Sequence, residues 1–196
     1  MSSAILETPR LLIRPFVAGD LLEIHRILTQ AFGDDSPVPA ESDLRECRSW
    51  LEWSILSQEW FPRMHQPPYG DRAIVLKAGG ALVGAVGYTP LLDVYGQIPV
   101  LSSIYVEGFN VPEFGLFWAI DPTHQRRGYA TEAARAMVEH AFTELRLKRI
   151  LATTEYENLA SQAVMCKLGM RLERNPQPEP PWLQVVGILE NKAGTG

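Results

Sequence analysis

The sequence predicts a mixed α/β or α+β protein in which helices pack on one twisted sheet. Three observations carry this prediction. Short apolar runs typical of strands occur in several segments, apolar residues recur at helical steps in others, and Gly or Pro clusters separate the two kinds. The 196 residues are enough for one core. We therefore expect a single domain over residues 1–196, with a disordered tail at 191–196.

Composition excludes several classes of protein. Hydrophobic residues make up 46% of the chain and charged residues 21%, as in ordinary globular proteins. The formal net charge of −5 argues against nucleic acid as a partner, because binding it requires clustered Lys and Arg. No signal peptide and no bilayer-length apolar run is evident, so we expect a cytoplasmic protein without a membrane partner. Cys47, Cys166 and the scattered histidines lack metal-ligand spacing, so we expect buried thiols and no metal.

The first predicted elements are a short strand and two helices. Arg10–Arg14 is a short apolar run, and Asp20 with Glu23 resembles a capping box that opens a helix over about 21–31. A loop rich in Asp, Ser and Pro leads to a second helical stretch at about 44–58. Three tryptophans lie on or beside this stretch: Trp50, Trp53 and Trp60. They either pack the helix onto the core or line a groove for a substrate.

Strands follow in the middle of the chain. Two β-type runs, 72–77 and 81–89, flank an Ala-Gly-Gly turn at 78–80 that suits a hairpin. The irregular stretch from 90 to 112 contains several Gly and Pro, which is typical of an edge element or a functional loop. The run "EFGLFWAI", residues 113–120, predicts the next strand.

The last third of the chain alternates helices and strands. Apolar residues at three- and four-residue steps predict one apolar helix face: Ala133, Ala134, Met137, Val138, Ala141, Phe142 and Leu145. "RILATT", residues 149–154, predicts a strand, and 159–169 a short helix closed by Gly169 as a C-terminal cap. Two final strands, 170–174 and 182–190, flank a proline-rich loop.

One corner of the chain is suited to binding an anion. The strand that ends at Ile120 is followed by Asp121-Pro122, "QRRGYA" and a helix, an arrangement that directs backbone N–H groups and the helix dipole toward one spot. Gly128 permits close approach of an anion to the main chain. Three side chains add donors: Gln125, Arg126 and Arg127. A phosphate or pyrophosphate is the expected guest, although neither a Walker loop nor a dinucleotide fingerprint is present.

"QRRGYA" resembles the [QR]xxGx[GA] loop of the GNAT superfamily of acetyltransferases, which wraps the pyrophosphate of acetyl-coenzyme A (acetyl-CoA). Its setting adds to the resemblance, because "AIDP" precedes it and a long helix and "ENLASQAVMCKLGM", a second family element, follow. "ETPRLLIRPFVAGD" and "GYATEAARAMVEHAF" resemble the RimJ/RimL-like branch, named for ribosomal-protein N-acetyltransferases. The resemblance extends over roughly residues 5 to 190.

The resemblance implies both a fold and an activity. The fold is one twisted, mostly antiparallel sheet of about six or seven strands, splayed at the cofactor strand, with helices on both faces. The activity is acetyl transfer from acetyl-CoA to a primary amine, of a protein N-terminus or a small molecule, by direct attack in a ternary complex without a metal. A homodimer is left open. Two alternatives are a non-catalytic acyl-CoA-binding module and a corner that is only a solvated helix start.

The resemblance also implies the residues that bind acetyl-CoA. The main chain of the cofactor strand would pair with the pantetheine arm through Trp118, Ala119 and Ile120. Gln125 and the backbone of the loop would hold the pyrophosphate: Arg126, Arg127, Gly128, Tyr129, Ala130 and Thr131. Asn158 would hydrogen-bond the arm near its reacting end. Aromatic residues on the implied acceptor side are Trp50, Trp53, Tyr95 and Tyr105.

The catalytic residues implied are a base and an acid. Glu113, at the start of the cofactor strand, would take the amine proton through a water, unless it is only a solvated acid at a strand end. Glu155 and Glu157 are weaker candidates for the base. Many family members protonate the thiolate with a Tyr where Met165 stands here, and in the RimJ/RimL-like branch a serine takes that role, which is Ser161. Alternatively, Ser161 caps the helix that it begins.

Overall fold

The computed structural model describes residues 5–32, 41–67, 69–101 and 110–192. Within these ranges it contains eight strands and four α-helices. The strands are β1 (Leu6–Glu7), β2 (Leu11–Pro15), β3 (Asp71–Leu76), β4 (Leu82–Asp93), β5 (Val111–Ile120), β6 (Arg149–Thr154), β7 (Arg171–Arg174) and β8 (Val185–Glu190). The helices are α1 (Leu21–Phe32), α2 (Glu41–Arg63), α3 (Tyr129–Thr143) and α4 (Leu159–Leu168).

The strands form one mixed sheet in the order β1-β2-β3-β4-β5-β6-β8-β7. Neighbours β1–β2, β2–β3, β3–β4, β6–β8 and β7–β8 are antiparallel, and β5–β6 is parallel. The parallel pair needs a crossover, which α3 supplies. The predicted mixed α/β class is thereby confirmed. The expected six or seven strands become eight because β1, with two residues, is too short to give a sequence pattern.

The first two helices differ in detail from the sequence prediction. The carboxylate of Asp20 bonds Arg14 and the Val17 N–H, and Glu23 pairs with Arg26 instead of completing a capping box. The predicted box is therefore wrong, because the guanidinium of Arg14 offers the Asp20 carboxylate a charged, two-pronged partner.

Helix α2 is longer than predicted, and its tryptophans divide between two environments. It runs from Glu41 to Arg63 and tolerates Pro62 in its last turn. The indole N–H of Trp50 donates to the Asp71 carboxylate over 2.9 Å, and its ring packs edge-on against Phe16. Trp53 is 62% exposed and Trp60 is 51% exposed. Packing on the core is thus confirmed only for Trp50.

The chain groups into two compact units, which are described separately. One comprises residues up to Tyr88 together with Phe117–Met137, and the other comprises Thr89–Leu116 together with residues from Val138 onward. The first has a core that includes Phe16, Ile24, Ile27, Leu51, Ala73, Val75 and Ala85. The second has a core that includes Tyr95, Ile98, Leu151, Leu183, Val186 and Ile188. A single domain over 1–196 stays a prediction.

Several smaller expectations are decided by the described residues. Cys47 is half-buried but Cys166 is exposed, so the prediction of two buried thiols is wrong for Cys166. Asn191, in the predicted disordered tail, is anchored, because its N–H donates to the Lys148 carbonyl over 2.8 Å. Residues 193–196 and Tyr105 lie outside the described ranges. Among the residues described, no cluster of His, Cys, Asp or Glu could hold a metal, and no helix has the length and apolar character to cross a bilayer.

Strands β4 and β5 approach closely at Gly84. A Cβ at this position would overlap the carbonyl oxygen of Ala119 and lie 3.0 Å from Cδ1 of Ile120. Just beyond, the N–H of Asp121 donates to the carbonyl of Val83 over 2.9 Å. The absence of a side chain at Gly84 therefore permits this close approach at the end of β5.

Asp121 then ties that turn to α1. One carboxylate oxygen accepts a hydrogen bond of 2.6 Å from Arg26, and the other accepts bonds of 2.8 Å from the N–H and the hydroxyl of Thr123. The side chain is only 2% exposed. Burial favours the neutral acid, but the hydrogen bonds from Arg26 and Thr123 outweigh it and lower the pKa of Asp121 to about 2.

The Asp121 ion pair predicts a stability loss that depends on pH. Its pKa is about 2 when folded, against about 3.9 in an unfolded chain, so its contribution is present above about pH 4 and is lost as pH falls toward 2. We expect Asp121→Asn to lower the free energy of unfolding by roughly 2 kcal/mol at about pH 7, and by much less near pH 2. Urea unfolding at both pH values measures the difference.

The matched control is Glu23→Gln, which removes the exposed partner of the same Arg26. We expect it to cost less than about 1 kcal/mol at either pH, as exposed ion pairs do. An Asp121→Asn effect of equal size at the two pH values would contradict the assignment of the stabilisation to the carboxylate charge.

Candidate active site

The anion corner predicted from the sequence lies between β5 and α3, in the first unit. A one-turn 3-10 helix, Pro122–His124, follows Asp121, and α3 begins at Tyr129. The side-chain amide of Gln125 donates to the carbonyl of Ile120 over 3.1 Å, which closes the loop on the strand end. Gln125 thus holds the loop with one amide N–H, a contact that the sequence did not reveal.

The main chain of the loop offers a row of donors. Arg126 has a φ of +59° and Gly128 a φ of +82°, and Arg127 between them is not left-handed. Such alternation turns successive N–H groups toward one side, which makes a concave anion site. The first hydrogen bond of α3 is from the N–H of Glu132 to the carbonyl of Gly128. Among the described residues, none accepts from the N–H groups of 126–131.

Gly128 keeps the loop open at its centre. Its φ lies in the left-handed region, which favours glycine. A Cβ there would meet a single group within 4 Å, the guanidinium of Arg10 at 3.4 Å. The side chains of Arg126 and Arg127 are exposed. That of Arg127 also donates to the carbonyl of Thr123 over 3.2 Å and so braces the turn.

The cofactor strand of the sequence prediction is the end of β5. Trp118 is half-buried, and Ala119 and Ile120 are buried. The parallel pairing of β5 with β6 is confined, in the part of the chain that is described, to Gly115 opposite Leu151.

Asn158 and Ser161 lie together at the start of α4, in the second unit. Asn158 is the cap, because its side-chain oxygen accepts a 3.0 Å hydrogen bond from the N–H of Ser161. The alternative that Ser161 caps this helix is therefore wrong: Ser161 contributes its main-chain N–H to the cap, and its hydroxyl is not part of it. At the other end, Gly169 has a φ of +83° and forms the predicted C-terminal cap.

Met165 occupies the core of the second unit. It is fully buried, and its sulfur lies 3.0 Å from the point where a Cβ on Gly187 would stand. A thioether has no proton to donate. The position where many family members have a tyrosine is thus an apolar packing position in this chain.

Glu113 forms a two-pronged ion pair with Arg149 in the second unit. The Nε of Arg149 donates to one carboxylate oxygen over 2.9 Å, and the Nη2 of Arg149 contacts the other. The carboxylate is 4% exposed, so the alternative of a solvated acid at a strand end is wrong. The hydrogen bond to Glu113 raises the pKa of Arg149 despite partial burial.

The structure also shows where the remaining predicted residues lie. Glu155 and Glu157 are exposed beside the cap of α4. Tyr95 is buried in the core of the second unit, and Trp50 is bonded to Asp71. Sequence reasoning missed Arg149 and Arg10, whose partners lie 36 and 122 residues away along the chain. No local pattern signals such pairs.

Comparison with known proteins identifies the family to which the chain is similar. The family model described as the acetyltransferase (GNAT) domain matches residues 10–171. YnaD, an uncharacterised N-acetyltransferase of Bacillus subtilis (strain 168), is 41% identical over 70 residues, and the match covers 36% of this chain. In that match the chain spans 41% of the length of the curated relative.

Two solved structures have the same fold. An acetyltransferase from Agrobacterium tumefaciens str. C58 gives a TM-score of 0.68 at 23% identity, covering 97% of this chain and 96% of that one. RimL, a ribosomal L7/L12 alpha-N-protein acetyltransferase in complex with coenzyme A, gives 0.61 at 14% identity, covering 94% and 96%. The family model, which matches most of the sequence, and the shared fold together lead to one conclusion: the chain belongs to the GNAT acetyltransferase domain family.

Proposed function

We propose that this chain transfers an acetyl group from acetyl-CoA to a primary amine, either a protein N-terminus or an amine of a small molecule. The observation that carries the proposal is the row of main-chain N–H groups at 126–131, which have no acceptor among the described residues. They lie at the positive end of α3, where an anion is stabilised. Membership of the GNAT acetyltransferase family gives that anion an identity, the pyrophosphate of acetyl-CoA.

The residues present fit this coenzyme. Gly128 leaves room at the loop, and the exposed Arg126 and Arg127 add positive charge beside it. We propose that the main chain of Trp118–Ile120 pairs with the pantetheine arm, since among the described residues the pairing of β5 with β6 is confined to Gly115, earlier in the strand. Asn158 would donate its amide N–H to the arm, because its oxygen already serves the cap.

The chemistry needs a proton acceptor for the amine and a proton donor for the leaving thiolate. Acetyl-CoA supplies the thioester, and we propose that the bound amine attacks its carbonyl carbon directly in a ternary complex. Ser161 is the proposed acid: its hydroxyl would give its proton to the sulfur as the C–S bond breaks and would regain a proton from solvent water, while Glu113 releases the amine proton to solvent. Glu113 remains the proposed base, provided that the ion pair with Arg149 opens to receive the proton through a water.

We further place the chain in the RimJ/RimL-like branch. This finer assignment is supported by the N-terminal "ETPRLLIRPFVAGD" and by "GYATEAARAMVEHAF". RimL has the same fold over nearly the whole length of the chain, and its 14% sequence identity supports the fold alone. Protein N-termini are accordingly the first acceptors to try.

A second candidate function is favoured by Met165. A buried methionine stands where many family members have a tyrosine acid, so the chain could bind an acyl-CoA without turning it over. Coenzyme binding without transfer to any acceptor would favour this non-catalytic module.

The proposed function is tested by binding and by transfer. We expect calorimetry to detect acetyl-CoA binding, and free thiol to be released with at least one acceptor among N-terminal peptides, polyamines and aminoglycosides. We expect Gly128→Val to raise the Kd for acetyl-CoA by at least ~10-fold, because the side chain fills the loop and strains a left-handed residue.

The matched control for that variant is Gly79→Val. Gly79 also has a positive φ, +85°, but lies in the turn between β3 and β4 with nothing within 4 Å of an added Cβ. It carries the same backbone strain without touching the loop, so we expect its Kd to stay within about twofold of wild type. Equal Kd values for wild type and Gly128→Val would refute the assignment of the loop.

Replacement of Ser161 separates chemistry from structure. Ser161→Ala keeps the N–H that Asn158 caps, so we expect α4 and the Tm to be unchanged. We expect kcat to fall by roughly 100-fold, the usual scale for loss of a general acid, with the Kd for acetyl-CoA unaltered. Wild-type kcat in this variant would remove Ser161 from the mechanism.

Glu113 and Arg149 are tested as a pair. If Glu113 is the base, Glu113→Gln lowers kcat by roughly 100-fold, the usual scale for loss of a general base, while Arg149→Gln keeps the carboxylate and lowers kcat less. We expect both variants to lose stability, since each leaves one member of the pair without its counter-charge. Lower Tm values with a wild-type kcat in Glu113→Gln would assign Glu113 a structural role alone.

A further inference from the structure

The turn between β1 and β2 is joined to the start of α3 by a dense set of hydrogen bonds. The side chain of Arg10 donates through Nε to Glu132 over 2.6 Å and through Nη1 to the carbonyl of Arg127 over 3.0 Å. The main-chain N–H of Arg10 donates to the same Glu132 over 3.0 Å, and the hydroxyl of Thr8 does so over 2.6 Å. Arg127 is in the middle of the loop that offers its N–H groups to an anion.

The guanidinium of Arg10 also lies close to Gly128 and to the ring of Tyr129. Its carbon is 4.6 Å from the centre of the Tyr129 ring, a cation–π arrangement. Its Nη2 is 3.4 Å from the point where a Cβ on Gly128 would stand. The side chain remains 48% exposed, so the guanidinium borders the loop from the solvent side.

Hydrogen bonds fix the main chain on which the Arg10 side chain stands. The N–H of Leu11 donates to the hydroxyl of Thr8 over 2.9 Å, which tightens the turn. On the opposite side, the carbonyl of Arg10 accepts a 2.9 Å hydrogen bond from the N–H of Lys77, next to β3. A side chain that starts from a fixed backbone loses less entropy when it orders a loop.

Glu132 adds a negative charge at the helix start, next to the proposed anion site. A carboxylate in the first turn of α3 suits the helix dipole, but it would repel an anion bound at the same helix start. Burial would raise the pKa of Glu132, yet the hydrogen bonds from Thr8 and Arg10 and the charge of Arg10 outweigh it, so the pKa lies below its usual value. Glu132 is thus ionised, and Arg10 supplies the compensating charge.

We propose that Arg10 is a positioning residue for the pyrophosphate of acetyl-CoA, an inference that rests on the proposed function. Its guanidinium holds the carbonyl of Arg127 on one side of the loop, so that the neighbouring N–H groups face the other side. It also neutralises Glu132, so that the helix start presents a net positive field to the pyrophosphate. The N-terminal turn is therefore a structural part of the coenzyme site.

The test compares two ligands that differ in the pyrophosphate. Acetyl-CoA carries it, whereas S-acetylpantetheine ends before it. We expect Arg10→Ala to raise the Kd for acetyl-CoA by ~10-fold by calorimetry. The Kd for S-acetylpantetheine, measured by ligand-detected NMR, should change by less than about twofold, because the pantetheine arm does not reach the loop.

Three further variants sharpen the comparison. Lys77→Ala removes one positive charge from the same hairpin, where Lys77 pairs with Glu7, and should leave both Kd values unchanged. Arg10→Ala combined with Glu132→Gln should bind acetyl-CoA ~3-fold more tightly than Arg10→Ala alone, since the unpaired carboxylate is gone. If Arg10→Ala does not fold, Arg10→Lys carries the test, with an expected ~3-fold weaker binding of acetyl-CoA because the forked contact is lost.

The outcomes are distinguishable. Wild type that binds acetyl-CoA while the Arg10 variants bind it equally well would overturn the role of Arg10 and leave the proposed function intact. Equal weakening of both ligands would also overturn it, because it would indicate a general defect of the fold. Wild type that fails to bind acetyl-CoA would overturn the proposed function together with this inference.

Discussion

The loop at 126–131 depends on a single constraint: its main-chain N–H groups must have no acceptor among the described residues and yet keep one direction. A segment whose main-chain N–H groups have no acceptor is not held in shape by those groups. Its shape is set by contacts around it, from Gln125 to Ile120, from Arg127 to Thr123 and from Arg10 to Arg127. Each of these contacts uses a carbonyl oxygen as acceptor and none uses a main-chain N–H group of 126–131, so those N–H groups remain available to a ligand.

Local charge compensation explains how an acidic chain can hold an anion at this loop. Net charge describes the whole surface, whereas a bound pyrophosphate responds to charges within about 10 Å. The two carboxylates next to the loop, the buried Asp121 and the half-buried Glu132, are both compensated, Asp121 by Arg26 and Glu132 by Arg10. What remains at the helix start is the dipole of α3 and the exposed side chains of Arg126 and Arg127. A formal charge of −5 is therefore compatible with a locally positive site.

Sequence predicted the elements whose signals are local. The strand 149–154 and the cap at Gly169 are confirmed as predicted, because a continuous apolar run and a C-terminal glycine act within a few residues. The misses involve competition between partners or distance along the chain. Asp20 pairs with Arg14 and not with the predicted helix start, and Asn158 caps α4 in place of Ser161. Glu113 pairs with Arg149, and only the fold brings these two residues together. The loop could be predicted because its residues are contiguous in the sequence. Arg10 could not, because its partner Glu132 lies 122 residues away along the chain.

The start of α4 shows how the proposed chemistry and the packing constrain each other. Met165 is fully buried beside Gly187, where a Cβ would already touch its sulfur, so the side chain at 165 belongs to the core. Under the proposed function, the acid must then come from a residue that packing does not need. Ser161 meets this condition, because the cap of α4 uses only its main-chain N–H and leaves its hydroxyl out of the cap. The cap fixes the backbone from which that hydroxyl projects, so Asn158 would position the acid as well as bind the coenzyme.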